Sequence, residues 1–217
     1  MNENIAENSK HANPFLEPYG TPHNTVPFGK ITLADYEEAM MEGMRREDEQ
    51  IDKIVNDPEA PTFDNTILRD DEVKGRKHYY DLLDRVTSVF FNMLSCDTND
   101  DMDALAQKMS PLLTRHANDI SLNPKLFSRI KAVYEHHREL TPEEQMLLDR
   151  SYDGMVRSGA LLDEAGKNKL RALTEEASML SLQFSQNLLK ENKAFWLHLT
   201  DKQQLAGLPD TALEAAA

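Results

Sequence analysis

The 217-residue sequence contains one cysteine, one tryptophan and no long apolar run. The single cysteine, Cys96, excludes an internal disulfide and a metal site built on paired cysteines. No stretch approaches the roughly 18 consecutive apolar residues that a membrane-spanning helix needs. Because residues 1–23 are polar as well, we expect neither a signal peptide nor a membrane anchor, and we predict a cytoplasmic protein.

Basic residues are also scarce, with 24 Lys and Arg against 38 Asp and Glu and a net charge of −14. A chain with this deficit has no cationic surface to neutralise phosphates, so we exclude nucleic acid and anionic membranes as partners. Residues 35–72 hold fourteen of the acids and only four bases. They form either an acidic surface for a cationic partner or the solvated outer face of a helix, and the solvated face is the simpler interpretation.

What the sequence does contain is apolar residues at spacings of three and four, the pattern of amphipathic helices. Good N-cap residues precede these stripes, as at Thr32, Asn123 and Thr141. Prolines and glycines break any helix within the first thirty residues. The pattern predicts an all-α bundle of six or seven helices over residues 32–193, preceded by an extended arm over residues 1–31.

The longest regular stripe follows Asp163, which we predict to be its N-cap. Its apolar members are Leu170, Leu173, Ala177, Leu180, Phe184 and Leu188. This spacing is typical of coiled coils and predicts close packing on a neighbouring long helix. Beyond it, alternating apolar residues over 194–200 predict one short C-terminal strand, for which the chain offers no partner strand. A last helix is predicted to start at Asp210.

Metal-binding and catalytic motifs are missing. No histidine is followed by glutamate, so HExxH is absent, and no two histidines stand four residues apart. Residues 97–101 begin like a calcium loop, but Met102 and Lys108 occupy the positions of the required glycine and glutamate. We read this stretch as a helix N-cap cluster. His116 lies on an apolar stripe, which favours a core histidine that donates to a carbonyl over a metal ligand.

The remaining signal is the order of eight short segments. They cover residues 13–15, 61–67, 85–95, 111–116, 122–130, 157–159, 180–187 and 205–209. In this order they resemble the N-terminal part of the thimet-oligopeptidase-like zinc metallopeptidases. The bacterial peptidyl-dipeptidase branch gives the best match, and oligopeptidase A gives the next. One departure is a longer stretch between Ile67 and Leu82.

The resemblance implies two helical halves that face each other across a deep channel. It places zinc in the later half, held by an HExxH motif and a downstream glutamate, none of which occurs here. It therefore implies no catalytic residue, no metal ligand and no cofactor in this chain, with zinc only in the parent enzyme. The implied partners are short peptides, bound through the parent, and a missing C-terminal catalytic region to which residues 194–217 would lead.

Two functions follow from these observations. The first is a channel-forming N-terminal half of a peptidyl-dipeptidase or oligopeptidase, inactive by itself. Its candidate peptide-channel wall residues are Phe184 and Asn187, although the simpler interpretation makes Phe184 a core residue and Asn187 a helix-end cap. The alternative function is a stand-alone acidic interaction domain whose helix over residues 35–56 meets a partner.

Overall fold

The computed structural model describes residues 11–68 and 82–216, and every regular element in that range is helical. The eight α-helices are α1 (Leu33–Val55), α2 (Phe63–Thr66), α3 (Leu82–Cys96), α4 (Asp100–Ser121), α5 (Pro124–His136), α6 (Pro142–Arg157), α7 (Glu164–Ala194) and α8 (Asp210–Ala216). The predicted all-α class is confirmed. The longer stretch expected between Ile67 and Leu82 falls on residues 69–81, outside the described residues.

Local sequence sets most helix starts. The Thr32 hydroxyl accepts from the Asp35 amide, while the Asp35 carboxylate accepts from the Thr32 amide, a reciprocal capping box. The predicted cap at Asn123 is also present, with its side-chain oxygen accepting from two amides of the first turn. Helix α2, which is a single turn, is the additional helix that the prediction of six or seven does not include. It is built by a capping box at Thr62 rather than by apolar periodicity.

Helix α1 is the centre of the core and packs against α3, α4 and α5. Its buried residues include Tyr36 and Met40, and the Tyr36 ring lies 5.2 Å from the ring of Phe90 on α3. Helices α1 and α3 approach closely at Gly43. A Cβ placed on Gly43 would lie 2.9 Å from the backbone of Leu83, so only glycine fits this crossing. Burial of this apolar surface is the main favourable contribution to folding.

The segment before α1 is tied to the core by buried groups. Phe15 is fully buried, and its ring lies 5.3 Å from that of Tyr36. The side-chain amide of Asn13 donates to the Asp35 carbonyl oxygen at 3.0 Å. Arg85 on α3 donates to the Phe15 carbonyl oxygen. The described residues of the predicted arm therefore contact the start of α1 and the start of α3.

The strand predicted over residues 194–200 is wrong. Ala194 is the last residue of α7, and residues 195–200 have no regular secondary structure. An isolated strand leaves its backbone N–H and C=O groups unpaired, so apolar alternation stabilises a strand only beside a partner. No strand exists among the described residues to provide that pairing.

The chain divides into two units, Met1–Leu180 and Ser181–Ala217. The first holds α1 to α6 and the beginning of α7. The second holds the end of α7, a 3₁₀ turn at Lys202–Leu205 and α8. No helix in the described part of the chain is long and apolar enough to cross a membrane.

Candidate functional site

The part of α7 within the first unit runs antiparallel to α4 and contacts it through polar side chains. Four pairs join the two helices: Thr114 with Ser178, Arg115 with Glu175, Asn118 with Thr174, and Asp119 with Arg171. We call this contact the polar seam. The two neutral hydrogen bonds are 2.9 Å and 2.8 Å long. These pairs fix the register of α7 on α4.

The predicted packing of the apolar stripe of α7 on a long helix is wrong. Helix α7 does lie beside a long helix, but the polar seam is the contact, and Leu173 and Leu180 are each more than half exposed. Of the 31 residues of α7, one is buried, and it is the charged residue Lys167. Periodicity indicates an apolar face, but it carries no information about whether the described chain supplies a surface to cover that face.

The candidate wall residues Phe184 and Asn187 lie on the part of α7 within the second unit. They are three residues apart and share one face of the helix. Phe184 is 68% exposed, so it is not a core residue of the described chain. Asn187 is exposed and stands seven residues before the end of α7 at Ala194, so it does not cap that end.

The second unit exposes further large apolar side chains immediately after α7. Phe195, Trp196 and Leu197 are 76%, 77% and 69% exposed. We call these three residues the apolar segment. Monomeric proteins seldom expose neighbouring large apolar side chains in this way, and such surface is typical of sites that contact another polypeptide.

The acidic residues of α1 are largely used within the chain. Glu42 pairs with Arg45 and Arg46 on its own helix, and the hydrogen bonds from Arg45 and then Arg46 lower the pKa of Glu42 to about 2. Glu37 pairs with Lys108 of α4 at 2.6 Å. These ion pairs favour the solvated-face interpretation over an acidic surface reserved for a cationic partner.

His116 is buried in the core, as predicted, but its partners differ from the prediction. Its Nε2 lies 2.9 Å from Glu47 Oε2, and its Nδ1 lies 3.3 Å from Asp48 Oδ1. Both partners are α1 carboxylates, and neither is a backbone carbonyl. Because the two ring nitrogens point to opposite sides, the three side chains link α4 to α1 and do not converge on one point.

The other candidate groups have structural roles. Asn99 caps α4 by accepting from the Met102 amide at 2.9 Å, which confirms the N-cap interpretation of residues 97–101. Cys96 is exposed at the last position of α3. Across residues 11–68 and 82–216, no three His, Cys, Asp or Glu side chains are arranged to hold a metal ion.

Comparison with known proteins identifies relatives of this chain. No protein-family model matches it. It is 38% identical to the dipeptidyl carboxypeptidase of Escherichia coli over 207 residues, which are 94% of this chain and 30% of that protein. The dipeptidyl carboxypeptidase of Salmonella typhimurium gives the same identity and the same coverage. Oligopeptidase A of Escherichia coli is 23% identical over 206 residues, 94% of this chain and 29% of that protein.

These relatives confirm the resemblance that the eight segments indicate. The dipeptidyl carboxypeptidases share more identity with the chain than oligopeptidase A does, which is the predicted order. The chain spans about 30% of the length of these curated relatives. It is homologous, over nearly all its own length, to the peptidases of the dipeptidyl carboxypeptidase and oligopeptidase A group.

Proposed function

We propose that this chain is the N-terminal, channel-forming helical half of a zinc metallopeptidase that acts on short peptides, and that it is inactive by itself. The observation that carries the proposal is the 38% identity to dipeptidyl carboxypeptidase over 94% of the chain but only 30% of that enzyme. We propose a cytoplasmic location for the parent, as expected from the polar residues 1–23.

The motifs of the sequence and the described residues of this chain do not fit a zinc centre. The full sequence has no HExxH motif, and the described residues bring no three ligand side chains together. Peptide hydrolysis by a zinc enzyme needs a metal-bound water and a group that removes its proton. Both would have to come from a catalytic region outside these 217 residues, so we derive no catalytic step from this chain.

The apolar segment is the proposed contact with that catalytic region. Its three side chains expose apolar surface that the described chain leaves uncovered. Burial of such surface contributes about 25 cal/mol per Å², which would favour association of the two parts. Phe184 and Asn187 are the proposed channel-wall residues, since both are exposed on one face of the same helix that leads into the apolar segment.

A chimeric enzyme tests the proposal. The 207 aligned residues of the Escherichia coli dipeptidyl carboxypeptidase are replaced by those of this chain, and cleavage of a quenched oligopeptide is measured. We expect activity from the chimera and none from the 217-residue chain with added zinc. In the chimera, changing Phe195, Trp196 and Leu197 to serine should reduce activity, whereas Arg157→Gln, on the exposed end of α6, should not.

Two results would contradict the proposal. A chimera that is folded by circular dichroism but inactive would show that the chain cannot serve as this half of the enzyme. Chelator-sensitive cleavage by the chain alone would show that it carries its own metal site. The genomic sequence after codon 217 gives an independent check, since the proposal expects an in-frame HExxH motif there.

A further inference from the structure

A cleft of about 290 Å³ lies within the first unit, between the end of α1 and helices α4, α5 and α6. Its floor is aliphatic and includes Ile54, Ile120, Ile130 and Met155. Three of these four belong to one core cluster and are at most 8% exposed. Core packing therefore holds the floor in place. The volume is close to the lower end of the range for ligand pockets, roughly 300 Å³.

Among the residues that the structure describes, one charged side chain lines this cleft, and it belongs to α6. Arg150, Gly154 and Ser158 recur every fourth residue and so share the helix face that lines the cleft. Among the described residues, Arg150 has no hydrogen bond or ion pair, unlike Arg115 and Arg129, which are both ion-paired. Arg157, on the same helix, is also unpaired among the described residues, but only Arg150 of the two lines the cleft.

Gly154 keeps the cleft open beside Arg150. Glycine is among the least favourable residues inside a helix, so it calls for a reason at this position. At Gly43 the reason is the backbone of Leu83, 2.9 Å from where a Cβ would lie, but a Cβ on Gly154 would meet no atom within 4 Å. No packing contact among the described residues explains Gly154. Its missing side chain leaves free space on the cleft face, one turn from Arg150.

We propose that this cleft binds a small ligand with an aliphatic body and one carboxylate. The aliphatic body would lie on the floor, and Arg150 would pair with the carboxylate, for which guanidinium has the matching planar geometry. The Ser158 hydroxyl, on the same face, is a second donor. The C-terminal residue of a peptide and a short fatty acid both have this chemistry. The inference does not rest on the proposed function, because binding is measured without peptide cleavage.

Titration of the 217-residue protein, followed by amide NMR shifts, tests the proposal. The probes are N-acetyl-Ala-Leu, the C-terminal amide of the same peptide, and octanoate. We expect saturable shifts at Gly154 and Met155 with N-acetyl-Ala-Leu, with octanoate or with both, and at least about tenfold weaker binding of the amide. Binding of N-acetyl-Ala-Leu alone identifies a peptide C-terminus as the source, and binding of octanoate alone identifies a fatty acid.

Three variants locate the binding. Arg150→Gln should weaken carboxylate binding by about tenfold or more, whereas Arg157→Gln, which removes the same charge from the same helix outside the cleft lining, should not. Gly154→Leu should fill the cleft and abolish binding while keeping or raising the thermal midpoint, because leucine favours the helix. No saturable shift with either acid, equal binding of the acid and the amide, or full binding by a folded Gly154→Leu protein would overturn the proposal.

Discussion

Helices α1 and α7 differ in what surrounds them, although both are long and carry an apolar stripe. The 23 residues of α1 include eight buried ones, whereas the 31 residues of α7 include one, Lys167. Helix α1 has partners on several sides, and α7 has the polar seam over part of its length. The comparison teaches that amphipathic sequence and local caps suffice to specify a long helix, while burial depends on what the rest of the chain supplies.

The strongest test of this difference removes one large side chain from each helix. Met40→Ala, at a fully buried position of α1, should lower the free energy of unfolding by about 2–5 kcal/mol because it leaves a cavity. Phe184→Ala, at an exposed position of α7, should change it by less than about 0.5 kcal/mol. Urea unfolding of both variants gives the values. Equal losses would show that α7 is as deeply packed as α1.

A second test concerns the close crossing of α1 and α3. Gly43→Ala should lower the free energy of unfolding by about 1–3 kcal/mol, because the added Cβ would lie 2.9 Å from backbone atoms of Leu83. The matched control is Gly154→Ala, where a Cβ meets open space and helix propensity should stabilise the protein by up to about 1 kcal/mol. Both thermal and urea unfolding should show a loss of stability for Gly43→Ala and a gain for Gly154→Ala. Destabilisation of similar size at both glycines would argue against a special contact at Gly43.

A third and smaller effect depends on pH at the start of α1. Burial raises the pKa of Asp35, but hydrogen bonds from Thr32 and His11 outweigh burial, and the net shift is below the ordinary value of 3.8. Asp35 therefore stabilises the fold fully above that value, and the contribution disappears as the pH falls through the lowered pKa. Asp35→Asn should cost about 1–2 kcal/mol at pH 7 and flatten the acid limb of the stability curve.

The control for this prediction lies at the start of α7. Asp163 accepts from the Gly166 amide at 2.7 Å, and the bond is exposed. Asparagine caps a helix about as well as aspartate, so Asp163→Asn should change stability by less than about 0.5 kcal/mol. Unfolding curves recorded between pH 3 and pH 7 compare the two variants. Parallel acid limbs for Asp35→Asn and the unchanged protein would refute the assignment to Asp35.

The sequence correctly predicts features that depend on neighbouring residues, and it mispredicts features that depend on residues distant along the chain. Thr32, Asn123 and Thr141 cap helices as predicted, because each cap is settled within three or four residues. The strand over 194–200 and the packed stripe of α7 are wrong because both require a distant surface that the described chain does not provide. The carboxylate partners of His116 lie 68 and 69 residues away in sequence, beyond any local pattern.

The same distinction between local and distant information applies to the candidate sites. Exposure of Phe184 and Asn187 cannot be inferred from spacing, since a stripe looks identical whether it is covered or bare. The sequence carries one signal of the cleft beside α6, a glycine in the last turn of the helix with Arg150 four residues before it and Ser158 four residues after it. That signal becomes interpretable only with the structure, in which no described neighbour explains the glycine.

The polar seam has a consequence for insertions and deletions. Each of its four pairs depends on the same antiparallel alignment of residues 114–119 with residues 171–178. One extra or missing residue in either stretch turns the following part of the helix by about 100° and carries its later partners off the shared face. Single substitutions remove one pair and leave three. These two stretches should therefore vary in amino-acid identity among natural relatives while their lengths stay fixed.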